Sequence, residues 1–221
     1  MPLDPSEFRI RFDTIAPLLP DDPHDYIREI DGTLNIFDED LEEFSIPVGR
    51  VSAYKVEIAL AAQAKEPILF VFDSVNDELS DYFSNLFDED DFSSEIQSML
   101  EPASGRDLLI IDRVEIDPEF RGKNLGLIAA MKTIETFSGG CAYVTLRPCP
   151  LQFGLYRNDA KKLKTLKYDE FEKTESRARK RLQKYWGQLG FKQIRDTDVF
   201  ILSTAYNLPT SASKLCRRAG E

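Results

Sequence analysis

Polar and apolar positions alternate across residues 8–15, F-R-I-R-F-D-T-I, which predicts a half-buried strand. Residues 26–37 read as a second extended region, with Asp31-Gly32 as its turn. Residues 48–60 show a mixed alternation and predict a strand of a central sheet. Pro67 precedes the apolar run I-L-F-V-F-D, a strand or the approach to a helix. Ser74 followed by Asp77 and Glu78 signals a helix start, with Leu79, Tyr82, Phe83 and Leu86 on one face. Ser93 or Ser94 would cap a short helix over residues 95–100.

The strongest pattern lies at residues 107–137. Residues 108–116, L-L-I-I-D-R-V-E-I, predict a buried strand, and Asp117-Pro118-Glu119 breaks it because proline cannot donate to a ladder. A short glycine-bearing loop, residues 121–126, feeds an apolar helical run of Leu125, Ile128, Ala129, Met131, Ile134 and Phe137. Ser138-Gly139-Gly140 stops that helix. Residues 141–146, C-A-Y-V-T-L, are the next buried strand. A strand–helix–strand unit of this kind places the two strands parallel, with the apolar helix face against the sheet. Residues 151–176 form a basic, polar insertion. Residues 177–189 predict a helix with Leu182, Tyr185, Trp186 and Leu189 on one face and Gly190 as its C-cap. Residues 191–194 and 199–204 would then pair as a hairpin, and residues 207–221 read as a mobile tail. The whole is one domain over residues 1–206, with an N-terminal elaboration and the basic insertion.

Charge changes this picture in one respect. The chain of 221 residues carries a formal net charge of -11, which argues against general binding to nucleic acid. Residues 1–105 hold 25 acidic and 6 basic side chains, and residues 106–221 hold 14 and 22. The basic half suits an anionic ligand and the acidic half a cationic one, although two solvated faces give the same count. No apolar run is long enough to span a bilayer, and the N-terminus lacks a signal-peptide pattern. Cys141, Cys149 and Cys216 lack metal-ligand spacing and fit a reducing cytoplasm. The acidic run at residues 38–43 lacks the glycine and spacing of a calcium loop and reads as a solvated loop. His24 is the only histidine and sits in an acidic stretch, which weighs against a Ser-His-Asp hydrolase and a histidine metal centre.

The loop at residues 121–126 carries the candidate chemistry. A strand, a glycine loop and a helix start present unpaired backbone N–H groups to an anion, and Arg121 and Lys123 add formal charge beside them. Gly122 and Gly126 permit close approach of the backbone. The loop lacks the G-x-x-x-x-G-K-[S/T] pattern of a P-loop.

This segment resembles the acyl-CoA-binding core of the GCN5-related N-acetyltransferase (GNAT) superfamily, whose loop reads Arg/Gln-x-x-Gly-x-Gly/Ala after a strand ending in a hydrophobic-x-Pro. Arg121 and Gly126 match its ends, and Asn124 stands at the inner glycine. The run Tyr185-Trp186-Gly187-Gln188-Leu189-Gly190-Phe191 resembles the superfamily's second signature, an aromatic-bearing helix ending in Leu-Gly-Phe. Uncharacterised bacterial GNAT-like proteins have similar segments. The resemblance implies an α/β (α+β) fold with a mixed central sheet, splayed between two parallel strands and flanked by helices.

It also implies acetyl-CoA as acyl-donor cosubstrate, without a metal. The pantetheine arm would lie in the splay, held by backbone groups near Val114 and Ile116. The pyrophosphate would lie on the N–H groups of Gly122, Lys123, Asn124, Leu125, Gly126 and Leu127. The acceptor would be a primary amine on a small molecule or a protein, attacking directly. No nucleic acid or membrane partner is implied, and a homodimer is compatible with the pattern.

A base on the central strand would be Glu115 or Asp112; ordinary pairing of either with Arg113 is an equal reading. The family's acid, a tyrosine, falls on Trp186, which serves as packing or as a wall of the cofactor site. Tyr185 is adjacent, about 100° away around an ideal helix, and is the other candidate for the acid. Trp186 and Asn124 favour the alternative of a non-catalytic CoA-binding or protein-interaction module.

Overall fold

The structure, a computed structural model, describes residues 7–38 and 43–218. Phe8–Thr14 (β1), Ile27–Asp38 (β2) and Glu43–Val56 (β3) form an antiparallel meander. Four short helices follow: Ile58–Ala64 (α1), Ile68–Asp73 (α2), Asp77–Leu86 (α3) and, after a ribbon of Phe87–Asp88 (β4) and Asp91–Phe92 (β5), Ser94–Met99 (α4). Asp107–Ile116 (β6), Leu125–Phe137 (α5) and Cys141–Leu146 (β7) make the strand–helix–strand unit. Ala160–Thr165 (α6) lies in the insertion and Glu175–Gly187 (α7) follows it. Lys192–Gln193 (β8), Phe200–Ser203 (β9) and Ala212–Arg218 (α8) complete the chain.

The result is a mixed α/β architecture with a seven-stranded mixed sheet in the order β1-β2-β3-β6-β7-β9-β8. Only β6 and β7 are parallel neighbours; the other pairs in this sheet are antiparallel. Alternation along β6 sorts its side chains into two cores. Leu108 and Ile110 meet α1 to α4 on one face, through residues such as Ile58, Phe72, Leu79 and Ile96. Leu109 and Ile111 meet α5, α7 and α8 on the other, through Leu127, Met131, Trp186 and Leu215. All six residues of β7 are buried, as expected for a strand covered on both faces. Among the described residues no helix is long and apolar enough to cross a membrane.

Several local expectations change. Asp31 and Gly32 lie inside β2, opposite Asp13 and Phe12. Glycine serves there because a Cβ would come within 3.0 Å of the Phe12 ring. The strand expected over residues 48–60 ends at Val56, and Ile58 already belongs to α1. The run at residues 68–73 is helical. Ser74 terminates that helix, its Oγ donating to the Val71 carbonyl at 2.7 Å. The cap of α3 is instead Asn76, whose Oδ1 accepts from the Leu79 N–H at 2.9 Å. The acidic run at residues 38–43 falls largely outside the described residues. The segment expected to be a mobile tail contains α8, anchored by the fully buried Leu215. One well-placed leucine in a polar stretch carries too little periodicity to announce such a helix.

Candidate functional site

The ladder between β6 and β7 stops at Ile111 opposite Leu146, whereas β6 runs on to Ile116 paired with β3 alone. The two parallel strands therefore part, and a cavity of about 480 Å³ opens where they separate. A β-bulge helps to build it. Ser52 pairs with Arg113 and Ala53 with Ile111, so Asp112 is the extra residue on β6. The bulge resets the alternation beyond it. Val114 and Ile116 turn toward Gly126 at the start of α5, where a Cβ would lie 3.5 and 3.6 Å from them.

Asp112 and Arg113 both line the cavity. Arg113 reaches two carboxylates, Asp112 at 3.5 Å and Glu115 at 3.7 Å. Burial raises the Asp112 carboxyl above its ordinary range, and the Arg113 guanidinium opposes that shift without cancelling it. Glu115 has different company: the Tyr156 hydroxyl of the insertion donates to its carboxylate at 2.9–3.0 Å. Glu115 is not in the cavity wall.

The loop between β6 and α5 also lines the cavity through Arg121, Gly122, Asn124, Leu125 and Gly126. Gly122 (φ 77°) and Asn124 (φ 57°) are both left-handed. Asparagine tolerates this conformation better than most residues, so Asn124 supplies the turn for which glycine is the usual solution. Its side chain gives α5 no cap and instead donates to the Leu215 carbonyl at 2.9 Å. Among the described residues, no protein acceptor meets the backbone N–H groups of residues 122–126. That row forms a nest suited to a multiply charged oxyanion.

Arg121 points elsewhere. Its Nε donates to the Ile116 carbonyl at 2.8 Å and its Nη1 to the Leu166 carbonyl at 2.6 Å. Its guanidinium lies 4.7 Å from the Tyr168 ring centroid and 4.9 Å from that of Phe171. Arg121 thus ties the insertion to the end of β6, and Tyr168, Glu170, Phe171 and Glu172 become part of the cavity wall. Lys123 extends over the Phe120 ring at 5.9 Å and does not line the cavity. Leu127 is fully buried and does not line the cavity; the Tyr185 oxygen accepts from its N–H at 3.0 Å.

Tyr185 and Trp186 both line the cavity and meet edge to face at 5.2 Å. Burial pushes the Tyr185 phenol up to about 12, well above what an efficient proton donor at neutral pH requires. Cys149 also lines the cavity, and burial raises its thiol, which favours the protonated, less nucleophilic form.

Beyond the parting of the strands the cavity wall includes Arg147, which is paired with Asp198 at 2.9 Å and Asp81 at 3.7 Å and stacked over Tyr82 at 4.9 Å. The opening therefore adjoins α3. There burial and the Asp112 carboxylate together raise Glu78. The sequence marks neither Arg147 nor Tyr156, and Glu78 only as part of a helix start, not as site residues. A weak signal existed for Arg147 alone, which directly follows the buried strand and precedes Pro148. Among the described residues no group of His, Cys, Asp or Glu is placed to hold a metal ion.

Comparison of the chain with family models, curated proteins and solved structures gives no match.

Proposed function

We propose that the chain is an acyl-CoA-dependent N-acyltransferase of the GNAT type, transferring an acetyl group from acetyl-CoA to a primary amine. The observation that carries this reading is the parting of β6 from β7 beside a left-handed loop whose N–H groups face a cavity. The fit to the donor is twofold. The N–H nest suits a diphosphate, and the edge of β6 that leaves β7 at residues 112–116, apart from the Ile116 carbonyl held by Arg121, offers backbone donors and acceptors to an extended amide arm. Arg121 is outside this role, because its Nε serves the end of β6 and its Nη1 the insertion.

Asp112 is the residue we assign to the amine. Its raised carboxyl lines the cavity, accepts a proton as the amine nitrogen bonds to the thioester carbonyl carbon, and releases that proton to solvent afterwards. The C–S bond breaks and the thiolate leaves, taking a proton from water. Backbone N–H groups on the open edge of β6 are positioned to stabilise the intermediate oxyanion. The acidic groups beside α3 favour an amine carried on a cationic small molecule or protein segment. Cytoplasmic residence fits the unbridged thiols Cys141 and Cys149.

A second reading is a CoA-binding or interaction module without turnover. The raised Tyr185 phenol and the indole of Trp186 at the family's acid position favour it. Calorimetry with acetyl-CoA and CoA tests the shared part: absence of binding ends the enzyme and the CoA-binding module and leaves only the interaction module. A thiol-release assay over a panel of amines then separates them, and turnover with any amine establishes the enzyme.

A further inference from the structure

We infer that Tyr185 is a relay for ligand recognition: its phenol takes the hydrogen bond of the Leu127 N–H and passes its own O–H to an oxyanion of the acyl donor's diphosphate. The inference rests on the acyl-donor reading above. It concerns which atom of this chain completes the anion nest.

The geometry is specific. The Leu127 N–H donates to Tyr185 Oη at 3.0 Å. A Cβ built on Gly126 would lie 2.8 Å from the same oxygen, so the phenol fills the space directly above the first turn of α5. The ring reaches there from α7, edge to face with Trp186 and lining the cavity with it. Residue 126 must be glycine for the phenol to sit in this place. The oxygen accepts one bond, yet among the described residues no acceptor receives its hydroxyl hydrogen. The half-buried phenol lines the cavity, so this O–H is free to donate to an arriving oxyanion.

The phenol also stands where the helix amides concentrate positive potential. A neutral O–H polarised by an N–H donor behind it is a better donor than either group alone. With its phenol raised to about 12, Tyr185 stays protonated throughout the working range and so remains a donor. This explains why a tyrosine one position from the family's acid is directed at the loop.

The test uses the full chain and Tyr185→Phe, which keeps the ring and removes only the hydroxyl. Calorimetry is run with CoA, inorganic diphosphate and pantetheine. The relay predicts that Kd for CoA and for diphosphate rises roughly 5–30-fold, as for loss of one hydrogen bond to a charged group, whereas Kd for pantetheine is unchanged. In turnover, KM for the acyl donor rises while kcat and its pH profile stay in place. Unchanged CoA affinity overturns the relay. So does tighter binding, which would make the phenol a plug over the Leu127 amide. Should Tyr185→Phe fail to fold, the wild-type chain still decides: saturating diphosphate must shift the Leu127 amide resonance, and an unmoved resonance overturns the relay. Wild-type protein that binds no CoA overturns the acyl-donor reading itself, a result distinct from all of these.

Discussion

The first half of β6, residues 108–111, is paired with β3 on one edge and β7 on the other, and Leu108, Leu109 and Ile110 are fully buried. The second half, residues 112–116, is bonded to β3 alone and is only partly buried. One continuous strand thus serves as scaffold in one half and as an open edge beside the cavity in the other. The Asp112 bulge marks the change. It leaves the β3 ladder intact on both sides while turning charged side chains away from α5. A rigid support ending in an open edge keeps Asp112 on a strand, beside the loop that carries the N–H nest.

That division can be attacked from both sides. The largest effect is expected from Asp112→Asn. It should lower kcat by roughly 10²–10⁴-fold, the range for loss of a general base, while CoA affinity measured by calorimetry stays near wild type. Turnover that survives this change would remove Asp112 from the mechanism. Next comes Leu109→Ala in the scaffold half. Deleting a fully buried leucine should cost about 2–5 kcal/mol of stability in denaturant unfolding, with CoA affinity of the remaining folded protein preserved. A smaller effect should follow Tyr156→Phe. Removing its hydrogen bonds to Glu115 should cost about 1–3 kcal/mol of stability and raise hydrogen exchange in the insertion, with little change in kcat.

The pH dependence sharpens the same contrast. Burial raises the Asp112 carboxyl, so a reaction needing its carboxylate loses rate as pH falls through that raised value, at a higher pH than an ordinary aspartate would give. The folded chain then holds this proton more tightly than the unfolded chain. The contribution of Asp112 to stability therefore falls as pH rises between its ordinary and its raised value. Asp112→Asn should abolish both dependences, as read from rate and unfolding profiles.

Much of the scaffold was legible because its signals are local and strong. The apolar run of β6, the helical period of α5 and the run of β7 each lie within a short window, and their parallel order follows from the connection. The site was less legible. Simple alternation sets Asp112 and Glu115, three positions apart, on opposite faces; the bulge that lets one guanidinium reach both is a pairing property with no residue of its own. Arg121 sits where a phosphate ligand is expected. Its partners there, the Leu166 carbonyl and the rings of Tyr168 and Phe171, come from an insertion that reads only as basic and polar along the chain. The end of the chain was missed for a similar reason, since the burial of Leu215 is decided by α5 and not by its neighbours.

The bond from Asn124 to the Leu215 carbonyl gives the end of the chain a second use. It fastens α8 to the same loop that presents the N–H nest. Occupancy of the nest should therefore be audible far from it, as protection of the exposed connector before α8 against a protease. The timing of a single clip between Ser203 and Ala212 would then report on ligand binding without any label on the ligand.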